Sequence, residues 1–221
     1  MPSSPSFPVE TLHAFRGLST ASVADAVEMH GARGFLSGAV RQQAPGTGSL
    51  VGPAVTVREV PADAPEPPTH ALAAIDESAP GSVVCIDAAG ADIAVWGGLM
   101  TAGAVARGIA GAVLDAGVRD VTEISRDYPD FPVYARSAVP ATTVGRYRTV
   151  SLNEPVVVGG VTIRPGDLVV ADRDGVVRVP EELVADVLRS ATEIEERERE
   201  QTRLILASGS LRDGLAKYNR I

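Results

Sequence analysis

The chain has 221 residues, of which 45% are hydrophobic, 22% charged and only 4% aromatic, and its formal net charge is −8. That length suits one domain, or one domain with an appended helix, and is enough to bury a core built mainly from Val, Ala, Leu and Ile. The acidic balance without any basic run argues against nucleic-acid partners; the single Cys85 excludes an internal disulfide; no apolar stretch approaches the ~20 residues that span a bilayer.

The start, Met1-Pro2-Ser3-Ser4-Pro5-Ser6, has neither the basic nor the apolar region of a secretory signal, so a cytoplasmic location is expected. Ser19 reads as an N-cap, followed at helical spacing by Val23, Ala26, Val27 and His30, with Gly31 as the stop. A loop-rich stretch ends in Gly46-Thr47-Gly48. Val51 to Val60 has the β-branched content of a strand. Four prolines between Pro61 and Pro68 demand an irregular loop, after which Thr69 caps a short helix through Leu72 and Ile75.

Ser82 to Asp87 is an apolar run read as a buried strand, with Cys85 as a buried thiol within it. Gly98 to Arg107 reads as a helix rich in Ala, Gly and Thr, and Gly111 to Asp115 as a second buried strand. Two such strands joined through a helix imply parallel pairing with a right-handed crossover. Phe131 to Ala135 is a short apolar strand. Pro155 to Val158 and Val161 to Ile163 flank Gly159-Gly160 as a hairpin. Leu168 to Ala171 and Val176 to Val179 are strands joined through Asp174-Gly175, and Pro180 opens a long helix. Glu193 to Glu200 forms its charged face, with i,i+4 pairs. The fold class is α/β, with a parallel β-α-β unit and a long C-terminal helix, residues 1–221 forming one domain of which about 181–221 are a helical extension.

Much chemistry is excluded. His13, His30 and His70 form no HExxH pair, and one cysteine cannot make a Cys-based zinc site. There is no GxSxG elbow, no GxxxxGK[ST] loop and no GxGxxG after a strand. What remains is Gly97 to Asp120, where the carboxyl ends of both strands of the β-α-β unit converge. The amides of Gly98, Leu99 and Met100 open a helix and precede its first hydrogen bond. Gly97 and Gly98 let a ligand carboxylate approach the backbone, or else mark only a tight turn. Arg119 offers a donor fork for a carboxylate, and Asp120 hard oxygens for Mg²⁺ or Mn²⁺; the alternative is a surface ion pair. Asp87 and Asp92 lie near this cleft. Asp172 and Asp174 are better read as turn formers than as a second metal site.

The segments Trp96-Gly97-Gly98-Leu99-Met100-Thr101, Ala106-Arg107-Gly108 and Val113-Leu114-Asp115-Ala116-Gly117-Val118-Arg119-Asp120 resemble the RraA-like family. So do Thr20 to Ala26, Val51-Gly52-Pro53-Ala54-Val55-Thr56, Arg164-Pro165-Gly166-Asp167 and Asp172-Arg173-Asp174-Gly175-Val176. The family includes 4-hydroxy-4-methyl-2-oxoglutarate / 4-carboxy-4-hydroxy-2-oxoadipate aldolases and a regulator that inhibits a ribonuclease. The resemblance implies a compact β/β/α swivelling-type domain and a trimer, or a hexamer of two trimers, with sites between subunits. It also implies a small 2-oxo acid substrate yielding pyruvate, by aldol cleavage or oxaloacetate decarboxylation. Arg119 would bind the pyruvyl unit, Asp120 the Mg²⁺ or Mn²⁺, and the amides of Leu99 and Met100 the carboxylate. An acid from a neighbouring C-terminal part, one of Glu193, Glu195, Glu196, Glu198 and Glu200, would approach the metal's waters. Where the aldolases commonly carry an acid twenty-one positions before the arginine, this chain has Gly98.

Overall fold

The computed structural model describes residues 7–216 apart from 45, 47 and 64, so Thr47 of the Gly46-Thr47-Gly48 loop lies outside the described residues. In chain order the elements are α1 (Val9–Arg16), α2 (Thr20–Met29), β1 (Arg41–Ala44), β2 (Leu50–Pro61), α3 (Thr69–Glu77), β3 (Val83–Trp96), α4 (Gly98–Ala106), β4 (Gly111–Val118) and α5 (Val121–Asp127). There follow β5 (Val133–Ala135), β6 (Ser137–Ala138), β7 (Tyr147–Leu152), β8 (Val156–Val158), β9 (Val161–Ile163), β10 (Leu168–Ala171), β11 (Val176–Val179), α6 (Val184–Ser208) and α7 (Leu211–Ala216).

One mixed sheet runs β1-β5-β4-β3-β2-β10-β11, with β6 added to β4 and β7 to β2. Its centre is parallel, because β2, β3, β4 and β5 are joined in turn through α3, α4 and α5. The expected β-α-β unit is the middle one of three. The side chains of β3 alternate between the sheet faces, as the pleat requires. Val84 and Ile86 pack with Ala74, Ile75, Ala104 and Ile124 of the helices. Val83 and Cys85 pack with Val156, Val158, Val161 and Ile163 of the β8–β9 hairpin, and Cys85 is fully buried. The layering is therefore hairpin, sheet, helix. A third cluster joins α1, α2 and the first half of α6 to β10 and β11 through Phe15, Val23, Val27, Leu168, Val170, Val187 and Ile194.

Several local expectations are corrected. A helix, α1, precedes the one capped by Ser19, which does accept from the Ser22 amide. Thr69 is the first residue of α3 rather than its cap; Pro68 holds that position without a side-chain bond. The strand beginning at Val83 runs on to Trp96 through a bulged segment in which Ala89 and Gly90 have positive φ. Pro180 opens a single 3₁₀ turn at Glu181–Leu183 before α6. The hairpin at Gly159-Gly160 stands as expected, with φ of 57° and 80° at the two glycines, the left-handed region that such a tight turn demands.

Candidate functional site

The floor of the site is Trp96, the last residue of β3. Its ring is buried and stacks on Phe131 at 6.1 Å between centroids. Trp96 Nε1 donates to Thr101 Oγ1 at 2.9 Å, and that hydroxyl donates to the Gly97 carbonyl at 3.1 Å. This relay holds the first turn of α4 over the indole. The first helical bond of α4 is Thr101 N to Gly97 O, so the amides of Gly98, Leu99 and Met100 precede it and face the positive end of the helix.

Arg119 and Asp120 follow β4, beside that helix start. The Arg119 amide donates to Trp96 O at 3.0 Å, which ties the two strand ends together. Asp120 sits at φ 60°, ψ 27°, one of three non-glycine residues with positive φ among the described residues. A left-handed aspartate costs of the order of 1 kcal/mol, and such strain concentrates where function requires it. Asp120 Oδ2 accepts from the Gly98 amide at 3.0 Å and lies 3.4 Å from Arg119 Nε, the two side chains being 36% and 42% exposed. A pair so exposed contributes little to stability.

A cleft of about 230 Å³ is lined by Gly97, Gly98, Leu99, Met100 and Arg119 together with Trp96, Leu72, Thr142, Thr143 and Val144. That volume is below the ~300–1,000 Å³ of typical drug-sized sites and suits a small acid. Asp120 faces a second, adjoining hollow with Val118, Thr122 and Pro140; Arg119 lines both. The six expected residues thus converge, with Arg119 as the wall between two recesses.

Asp87 and Asp92 do not line either recess. Asp87 accepts from the amides of Ala89 (2.9 Å) and Val157 (3.2 Å), and Asp92 from Ser137 Oγ at 3.4 Å. Asp172 binds the amide and hydroxyl of Thr20 and the amide of Asp174, as a turn former should. Glu195 accepts from Ser19 N at 3.0 Å and Ser22 Oγ at 3.2 Å, and these bonds hold its carboxyl below the usual range. Sequence reasoning missed Thr101, whose hydroxyl orders the helix start, and Glu123, which lies against Gly98. The spacing Asp120-x-x-Glu123, that of a capping box, was the available signal for Glu123.

The family described as RraA-like, Aldolase/RraA, matches residues 20–178. The chain is 34% identical over 199 residues to the Legionella pneumophila protein DlpA, covering 87% of this chain and 31% of that protein. It is 37% identical over 147 residues to a Halalkalibacterium halodurans protein provisionally named as a 4-hydroxy-4-methyl-2-oxoglutarate aldolase, covering 64% of this chain and 65% of the other. The chain therefore spans less than two thirds of the length of either. Among solved structures, an uncharacterized protein from Pseudomonas syringae pv. tomato superposes with a TM-score of 0.87 at 33% identity, covering 98% of this chain and 97% of that one. Streptomyces coelicolor RraAS2, described as an unusual member of the RNase ES inhibitor RraA protein family, gives a TM-score of 0.78 at 28% identity, covering 88% and 96%.

Proposed function

The chain belongs to the RraA-like family, and from that premise we propose that it is a divalent-metal-dependent carbon–carbon lyase of the cytoplasm, acting on a small 2-oxo acid and releasing pyruvate. The substrates in view are of the 4-hydroxy-4-methyl-2-oxoglutarate type, cleaved by retro-aldol reaction, and oxaloacetate, decarboxylated through the same pyruvate enolate. The observation that carries the reading is the exposed Arg119–Asp120 pair, held in a strained turn against the start of α4 at the mouth of a small cleft.

The donor set fits Mg²⁺ or Mn²⁺. Among the described residues no three His, Cys, Asp or Glu side chains gather around one point, unlike the closed ligand sets of structural zinc. Mg²⁺ instead keeps several waters and binds through one or two carboxylates plus its substrate, and Asp120 offers such a carboxylate. When bound, the cation supplies Lewis acidity toward the keto oxygen and the developing enolate. The chain's own groups do the rest. The Arg119 fork takes the substrate carboxylate in two parallel hydrogen bonds. The amides of Leu99 and Met100 receive the same charge at the positive end of α4. Gly97 and Gly98 keep side chains out of the approach. In aldol cleavage a nearby base accepts the 4-hydroxyl proton; decarboxylation needs no such base.

A trimer or a hexamer fits this surface. Leu99 stands 87% exposed at the cleft mouth, where a neighbouring copy would cover it. With Glu195 bound to α2 and Glu200 paired with Arg203, Glu193, Glu196 and Glu198 are the candidates to reach a neighbour's site. Light scattering should give three or six chain masses. Pyruvate release from both acids, followed with Mg²⁺, Mn²⁺ and chelator, tests the chemistry. Turnover should require metal, and Asp120→Ala should abolish it; unchanged turnover in that variant would sink the proposal.

The likeness to RraAS2 favours a second reading, a non-catalytic regulator that binds a partner such as a ribonuclease. Its signature would be partner binding that survives both chelation and Asp120→Ala.

A further inference from the structure

Gly97 and Gly98 have a use that their backbone angles do not explain. Neither has positive φ; Gly97 is extended at φ −164°, which any residue adopts. Room is what they supply. A Cβ on Gly97 would fall 2.8 Å from Asp120 Oδ2, and a Cβ on Gly98 would fall 2.6 Å from Glu123 Oε1 and 3.0 Å from Glu123 Cδ. Each missing side chain leaves a seat, and a carboxylate of the Asp120–Glu123 turn occupies it. One residue, Gly98, is therefore touched by two acids: its amide by Asp120 and its Cα face by Glu123.

Asp120 and Glu123 have the spacing of a capping box, in which each acid would satisfy the other's amide. That box is not made. Asp120 gives no side-chain cap to α5 and turns to the Gly98 amide instead. Glu123 lies against the same residue of α4. Both acids forgo their own helix and face the start of another.

The charges then matter. Arg119 and Asp120 alone sum to zero and have little pull on a cation. With Glu123 the group carries one net negative charge before ligand binds. Two carboxylates beside one glycine repel each other, and a divalent cation relieves that repulsion.

We propose that Glu123 is the second carboxylate of this site, seated in the space left by Gly98, and that it draws and holds, through water, the divalent cation carried by Asp120. The inference rests on the lyase reading and deepens it. Mn²⁺ titration, read by electron paramagnetic resonance, tests it apart from activity. Glu123→Gln should weaken Mn²⁺ binding by about 10- to 100-fold, the range for lost outer ligands. The double variant Gly98→Asp/Glu123→Ala returns a carboxylate to the same seat from the other side and should recover most of the affinity. Wild-type affinity in Glu123→Gln, or a loss that the double variant does not recover, would overturn the inference. Either result leaves metal-dependent pyruvate release by the wild type standing. Failure of the lyase reading shows separately, as a wild type that binds Mn²⁺ through Asp120, with Asp120→Asn as control, yet releases no pyruvate.

Discussion

At the scale of single residues, the site depends on what glycine leaves out. Gly97→Ala places a methyl group 2.8 Å from Asp120 Oδ2 and 3.0 Å from Arg119 Cγ, so the ion pair must move. A shift of about 1 Å in a positioned group costs on the order of 100-fold in rate. Gly97→Ala should therefore lower kcat/KM for pyruvate release by about that factor. Its urea midpoint should stay near that of the wild type, because the displaced side chains are half exposed. The placement of Arg119 and Asp120 beside the start of α4 was legible in the sequence, since the β-α-β pattern puts both strand ends on one side. The place of Glu123 was not: its approach to Gly98 comes from how one helix start meets another, and a residue count along the chain carries no such distance. Gly98 read as the loss of an acid; in the folded chain it is the seat of one.

At the scale of elements, the relay Trp96–Thr101–Gly97 fixes where α4 begins. Thr101→Val keeps the shape but strands the buried Trp96 N–H, while the Gly97 carbonyl keeps its bond from the residue 101 amide and loses only the hydroxyl's. An unsatisfied buried donor costs about 1–3 kcal/mol, so chemical denaturation should show a loss of that size, with a parallel rise in KM as the Leu99 and Met100 amides loosen. The elements most legible in the sequence are those with strong apolar periodicity: the buried cores of β3 and β4, the β8–β9 hairpin, β10 and β11. Those missed lack it. β1 is Arg-Gln-Gln-Ala, and in β7, Tyr-Arg-Thr-Val-Ser-Leu, the one buried residue is the polar Thr149 while Val150 is exposed, so no apolar alternation marks a buried face. Both are strands because a neighbour has an edge to pair, and pairing of that kind leaves no mark in their own composition. α1 has no capping side chain at Pro8 to announce it.

At the scale of the whole molecule, Glu59 ties stability to pH. It lies buried, 2% exposed, at the bulge where β2 pairs β7, and neither carboxylate oxygen has a hydrogen-bond partner among the described residues. Burial pushes its carboxyl up to about 7 from the ordinary 4.5. A raised carboxyl pKa favours the folded state fully at pH below about 4.5, and that advantage is lost as pH rises toward 7. The loss is of the order of 3 kcal/mol. Urea midpoints should therefore fall between pH 5 and pH 8, and Glu59→Gln should flatten that slope and leave the variant the more stable of the two at pH 8. A Glu59→Gln variant that keeps the wild-type slope would place the titration elsewhere.

The walls of the cleft differ in how they are held. Trp96 to Glu123 form one unbroken stretch from the end of β3 through α4 and β4 into α5, tied across by the Arg119–Trp96 bond. The lining residues Thr142 to Val144 belong to the connection between β6 and β7. On the proposed lyase reading, the groups assigned to the reaction and those that bound the substrate lie on different parts of the chain, free to drift independently in evolution. On that reading, substitutions at Thr142, Thr143 and Val144 should retune which acid is accepted and leave Arg119 and Asp120 unchanged, so that descendants of one ancestor share a chemistry and differ in diet.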